Sequence, residues 1–141
     1  MPKRLTVAQQ ETYARDGYVA PIDIFSADEI AEIRAEIEDA EARWPHALDG
    51  AGRNNGHLAL PVLDRIVHDS RILDAVEDVI GAHILAAGST LFIKEPNSGG
   101  FISWHQDARY AGMEPPDWVT GWLAVSNVTE ENGCMRMICR L

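Results

Sequence analysis

The sequence predicts an α+β chain, with helices in the first part and strands in the second. Three observations carry that prediction. Residues 1–82 are mainly helical in pattern, with capping signals ahead of the first two helices and apolar residues at helical spacing. From His83 onward the pattern changes to β-like runs separated by turn residues. No repeat, low-complexity tract or linker divides the 141 residues, a length that suits one domain. Hydrophobic residues make up 46% of the chain, enough to bury a core. The expected arrangement is a set of helices packed on an antiparallel β-sandwich or barrel.

The elements follow in order. Thr6 caps a first helix running to about Arg15, and Gln9, three residues on, completes a capping box. Asp16-Gly17 ends it, and residues 18–22 read as a short extended piece. Ser26 opens the clearest helix, with Glu29 as its box partner. Ile30, Ile33, Ile37 and Ala40 form its apolar stripe, Glu32, Glu36, Glu38 and Asp39 a solvated face, and Pro45 its stop. Residues 48–61, rich in Gly and Asn, read as a mobile surface segment over a site. A third helix starts at Ser70, places Ile72, Leu73, Val76, Val79 and Ile80 on an apolar face, and stops at Gly81.

The β-like runs are 84–96, 101–107, 118–128 and 134–138. Asn97-Ser98-Gly99-Gly100 supplies turn chemistry between the first two, and Glu131-Asn132-Gly133 a hairpin turn before the last. Pro115 and Pro116 exclude regular structure around 113–117.

Charge narrows the function classes. Twelve Lys and Arg against 22 Asp and Glu leave a net charge of −10. Such a chain repels phosphate backbones and anionic membranes, so neither nucleic acid nor a bilayer is an expected partner. No apolar run reaches the roughly 20 residues that span a membrane. The N-terminus turns polar at once, unlike a signal peptide, and the expected location is cytoplasmic. The two cysteines, Cys134 and Cys139, read as reduced thiols with no disulfide framework.

The segment that carries chemistry is Trp104-His105-Gln106-Asp107. On a strand, residues i and i+2 share a face, so His105 and Asp107 point together while Gln106 points away. One imidazole and one carboxylate suit a divalent ion such as iron, in a site of two His and one carboxylate that leaves positions open for oxygen. The same pair read without a metal is a histidine hydrogen-bonded to a neighbouring carboxylate.

The chain resembles the phytanoyl-CoA dioxygenase family of iron(II)- and 2-oxoglutarate-dependent oxygenases, which includes the ectoine hydroxylases. The matching pieces are Asp16-Gly17-Tyr18-Val19, Phe25-Ser26-x-x-Glu29-Ile30, the stretch 72–81, Trp104-His105-Gln106-Asp107, Trp122-Leu123-Ala124 and Glu131-Asn132-Gly133-Cys134-Met135-Arg136, in that order over nearly the whole chain. The resemblance implies N-terminal helices on a double-stranded β-helix (jelly-roll) core, with His105 and Asp107 as two iron ligands. It places Trp122, and Thr90 on the strand before the turn, beside the 2-oxoglutarate. The implied reaction is hydroxylation of a small organic substrate, with 2-oxoglutarate decarboxylated by O2. Related halogenases carry a small residue in place of the carboxylate, so Asp107 argues for hydroxylation.

The sequence departs from that pattern in one respect. The family's second iron-binding His and its 2-oxoglutarate-binding Arg lie later in the chain. Here His46, His57, His68 and His83 all precede His105, and Arg136 and Arg140, the arginines nearest the end, match no such position. The resemblance therefore implies the N-terminal portion of a longer enzyme with an incomplete core. The readings are a truncated oxygenase, a non-catalytic binding module of the same descent, or an inactive product of a disrupted gene. Among the other residues, Trp118 reads as core packing and Lys94 as a snorkelling side chain at a sheet edge. Arg109 and Tyr110 read as loop residues near a substrate entrance, and His57 as a solvent-exposed histidine.

Overall fold

The computed structural model describes residues 2–46, 48–115 and 117–139, so Pro116, Arg140 and Leu141 lie outside the described residues. Its helices form where the local signals stand. Helix α1 spans Val7–Asp16. The Gln9 N–H donates to Thr6 Oγ1, and the Thr6 N–H donates to Gln9 Oε1. Gly17 closes the helix at φ 84°, a left-handed conformation that favours glycine. Helix α2 spans Ala27–Arg43 with the Ser26–Glu29 box at its head. Its stripe faces inward, with Ile33, Ile37 and Ala40 buried.

Helix α3, Pro61–Val67, was not expected from the sequence. Pro61 stands at its first position, where the missing N–H costs nothing. Helix α4, Ser70–Ile80, starts where predicted, with Asp69 accepting from the Arg71 N–H, and ends at Gly81. A single helical turn, α5, spans Ala108–Ala111.

The core joins α2 to α3. Ile33, Ile37 and Ala40 pack with Leu48, Leu60, Val62 and Leu63, and Phe25, Ile30, Ile66, Leu91 and Val125 lean on them. The segment 48–61 is thus an anchor, which corrects its reading as a mobile surface loop. Leu48, Gly56 and Leu60 are buried, and short 3-10 turns at Gly50–Arg53 and Gly56–Leu58 satisfy its backbone. Its Gly/Asn content disguised two apolar anchors at its ends.

The same segment holds the second half of the chain. The Leu91 N–H donates to Arg53 O (2.9 Å), and the Asn55 N–H to Ser89 O (2.6 Å). Arg53 donates from Nε to Leu48 O and from Nη1 to Ile93 O. Asn54 and Thr90 form an isolated antiparallel bridge. At the other end Asp78 on α4 ties down the N-terminus, accepting from the backbone N–H groups of Lys3, Arg4 and Leu5 at 2.7–3.1 Å.

The predicted β-core is overturned. Among the described residues there is no strand, and no jelly-roll or sandwich is formed. The runs 84–96, 101–107, 118–128 and 134–138 lie as irregular chain, and no backbone hydrogen bond joins one to another among the described residues. Leu91 and Val125 lean on the helical core, but many of the runs' other apolar side chains stay in the open, with Leu85 at 87% and Phe101 at 85% exposure. The physical reason is that alternation sets which way side chains face but a strand exists only with a ladder partner. The turns do form: the Ser98 N–H donates to Glu95 O, and the Cys134 N–H to Thr129 O. Lys94 sits at no sheet edge; its Nζ donates to Gly133 O.

Candidate functional site

His105 and Asp107 do come together, on a backbone other than the one expected. The chain bends at Trp104, and Asp107 has helical dihedrals as the cap of α5. A strand would have aligned the pair by pleat; here the bend and the helical turn bring them together. His105 Nε2 lies 3.1 Å from Asp107 Oδ1, with both side chains partly open to solvent. Tyr110, on α5, sets its ring 5.9 Å from the imidazole at a tilt of 59°.

The hydrogen bonds around the pair fix its chemistry. His105 Nδ1 lies 2.7 Å from Ser103 O. A carbonyl only accepts, so Nδ1 carries the proton and the neutral ring presents a bare Nε2. That bare nitrogen faces a carboxylate oxygen, lone pair to lone pair. The gap therefore calls for a positive charge, either a second proton on the ring or a metal ion. Two donor atoms bonded to one ion at about 2.1 Å and at right angles stand about 3.0 Å apart. The 3.1 Å separation fits such a pair.

The other carboxylate oxygen is claimed from a distant stretch. Thr120 Oγ1 donates to Asp107 Oδ2 at 2.6 Å, and Trp118 Nε1 donates to Thr120 Oγ1 at 3.1 Å. Trp118 is half-buried and hydrogen-bonded, so its expected role as simple packing understates it. Sequence reasoning missed Ser103 and Thr120. The parity of Trp118, Thr120 and Trp122 was the signal available for Thr120, since alternate residues share a face of an extended chain.

The remaining predicted residues stand apart from this pair. The Thr90 hydroxyl donates to Asn54 Oδ1 (3.1 Å). Trp122 is exposed and takes no part in the hydrogen bonds around Asp107. His57 is half-buried against the Ser89 hydroxyl (2.7 Å), not free in solvent as expected. Arg136 pairs with Glu130 at 3.4 Å. Among the described residues no cluster of three or more His, Cys, Asp or Glu side chains could hold a metal, so the pair has no third protein donor there. No helix among the described residues is long and apolar enough to cross a membrane.

Comparison with known proteins places these residues in context. The family model for phytanoyl-CoA dioxygenase (PhyH) matches residues 13–139. An ectoine dioxygenase of Bordetella parapertussis is 30% identical over 114 residues, covering 73% of this chain and 37% of that protein. A probable alpha-ketoglutarate-dependent hypophosphite dioxygenase of Stutzerimonas stutzeri is 26% identical, covering 90% of this chain and 50% of its own length. A phytanoyl-CoA dioxygenase domain-containing protein 1 homolog of Caenorhabditis elegans is 25% identical over 92% of this chain and 62% of its own. The chain thus spans between about a third and under two thirds of the length of these relatives. No solved structure matches the chain at a significant level.

Proposed function

Because the chain belongs to the phytanoyl-CoA dioxygenase family, we propose that it carries part of the iron site of a 2-oxoglutarate-dependent dioxygenase that hydroxylates a small organic substrate. His105 Nε2 and Asp107 Oδ1 are the two protein donors. These two residues would hold iron(II), which with 2-oxoglutarate and O2 would supply the oxidising power to hydroxylate a C–H bond, 2-oxoglutarate being converted to succinate and CO2.

The observation that carries the reading is the bare Nε2 turned toward Asp107 Oδ1 at 3.1 Å. Ser103 O holds the ring proton on Nδ1 and so keeps the ligand lone pair free, a common outer arrangement around metal-binding histidines. Trp122 is assigned to the 2-oxoglutarate by resemblance; Thr90, held by Asn54, joins it only if that hydrogen bond opens. Two protein donors hold an ion less firmly than three. With these two donors alone, turnover is therefore expected to be close to nil.

The test is an anaerobic iron(II) titration of the purified chain with 2-oxoglutarate. The expected result is a weak visible charge-transfer band that His105→Ala abolishes. A band that His105→Ala leaves unchanged refutes the reading and favours a non-catalytic binding module.

A further inference from the structure

We propose that Thr120, with Trp118 behind it, is the positioning residue that makes Asp107 a one-oxygen ligand. The proposal rests on the reading of His105 and Asp107 as metal donors. It starts from the polarity of one hydroxyl. An ionised carboxylate has no proton to give, and an indole N–H can only donate. Thr120 Oγ1 stands between the two, 2.6 Å from Asp107 Oδ2 and 3.1 Å from Trp118 Nε1. Its single proton must point at Asp107, and one of its lone pairs must take the indole N–H. The hydroxyl is thereby locked as a donor rather than left to rotate.

The consequence falls on the carboxylate. Asp107 is more than a third exposed, and its side chain makes no bond to the N-terminus of α5 that would orient it. With Oδ2 engaged by a short charge-assisted bond, Oδ1 remains to face His105 Nε2. Without that bond the carboxylate is free to rotate, to put both oxygens on one ion or to turn to solvent. Either outcome removes a defined open position or a ligand. With Asp107 and Thr120 13 positions apart in the sequence, this bond also ties the segment around Asp107 to the run 118–128.

Cobalt(II) binding by the full chain tests this. Cobalt binds such donors somewhat more tightly than iron(II), does not depend on turnover, and its visible bands report coordination number. Thr120→Val keeps shape and removes the donor; it is expected to weaken cobalt binding about 10- to 100-fold, the usual effect of losing an outer hydrogen bond to a ligand. Thr120→Ser restores the donor and is expected to restore affinity. Trp118→Phe removes the indole N–H together with part of the ring, and whatever part of its smaller loss in cobalt affinity acts through the N–H is expected to vanish in the Thr120→Val background. Wild-type affinity and spectrum in Thr120→Val would overturn the proposal while leaving the metal reading intact. Loss in Thr120→Ser equal to that in Thr120→Val would overturn it in favour of a packing role. Absence of cobalt binding by the wild-type chain would remove the metal reading, and this proposal with it.

Discussion

Gly56→Ala tests whether the α2–α3 core is packed as described. Gly56 is buried in the short turn ahead of α3, and its φ lies outside the left-handed region, so an alanine there meets no backbone strain. The obstacle is space. A Cβ at position 56 would stand 2.6 Å from Leu63 Cδ1. Carbon atoms in ordinary contact sit about 3.5–4.0 Å apart, so the overlap is about 1 Å. Leu63 is 7% exposed and enclosed by the buried cluster, which leaves its side chain little room to yield. Overpacking of this kind costs about 1–3 kcal/mol. The alanine recovers about 0.4–1 kcal/mol by restricting the unfolded chain. Overlap wins, and a net loss of roughly 1–2 kcal/mol is expected. Leu63→Ala alone is expected to cost about 2–5 kcal/mol through the cavity it leaves. In the double variant the new methyl enters that space, so the combined cost falls short of the sum by at least about 1 kcal/mol. Urea unfolding followed by helical circular dichroism measures all four corners. A Gly56→Ala protein within 0.5 kcal/mol of wild type, or strict additivity in the cycle, would refute the packing.

Two further outcomes are expected. The backbone N–H groups of Lys3 and Arg4, followed by that of Leu5, hold the Asp78 carboxyl below its usual range. A depressed carboxyl contributes stability that is present above its unfolded value of about 3.9 and is lost as pH falls through the lower folded value. Thermal midpoints measured from pH 6 to pH 2 are therefore expected to fall less for Asp78→Asn, which starts lower at pH 6, than for wild type. Ser26→Ala removes the oxygen that accepts the Glu29 N–H and is expected to cost about 1 kcal/mol in urea unfolding, whereas Ser26→Gly costs a few tenths.

What could be read from the sequence follows how local each signal is. Thr6, Ser26 and Gly81 act within one helical turn, and the helices begin and end where those residues stand. Pro61 carried the same kind of signal for α3, but the helix it opens is only seven residues long and follows a Gly/Asn-rich segment. The β-like runs needed partners many residues away, and alternation names no partner. The pairing of His105 with Asp107 was legible because two residues suffice to state it, although a bend and a helical turn replaced the strand that was expected to align them. Thr120 and Ser103 were not legible as functional residues. A threonine gains its role from the carboxylate it happens to meet, and a carbonyl has no sequence signature.

The energetics of the His105–Asp107 pair bear on why it is built this way. An exposed ion pair contributes about 0–1 kcal/mol. Ordering side chains costs a comparable amount or more. A protonated imidazole beside Asp107, with both side chains more than a third exposed, therefore gives small reason to enlist Ser103 O, Thr120 Oγ1 and Trp118 Nε1 around it. A divalent ion, if held there as proposed, would change the balance, since it would bond both donors at once and each outer hydrogen bond would then act on the affinity for the ion. The Ser103 bond selects the tautomer with a free Nε2, and the Thr120 bond selects which carboxylate oxygen is free. On the proposed reading, those two choices would leave a histidine nitrogen and an aspartate oxygen 3.1 Å apart as defined donor atoms.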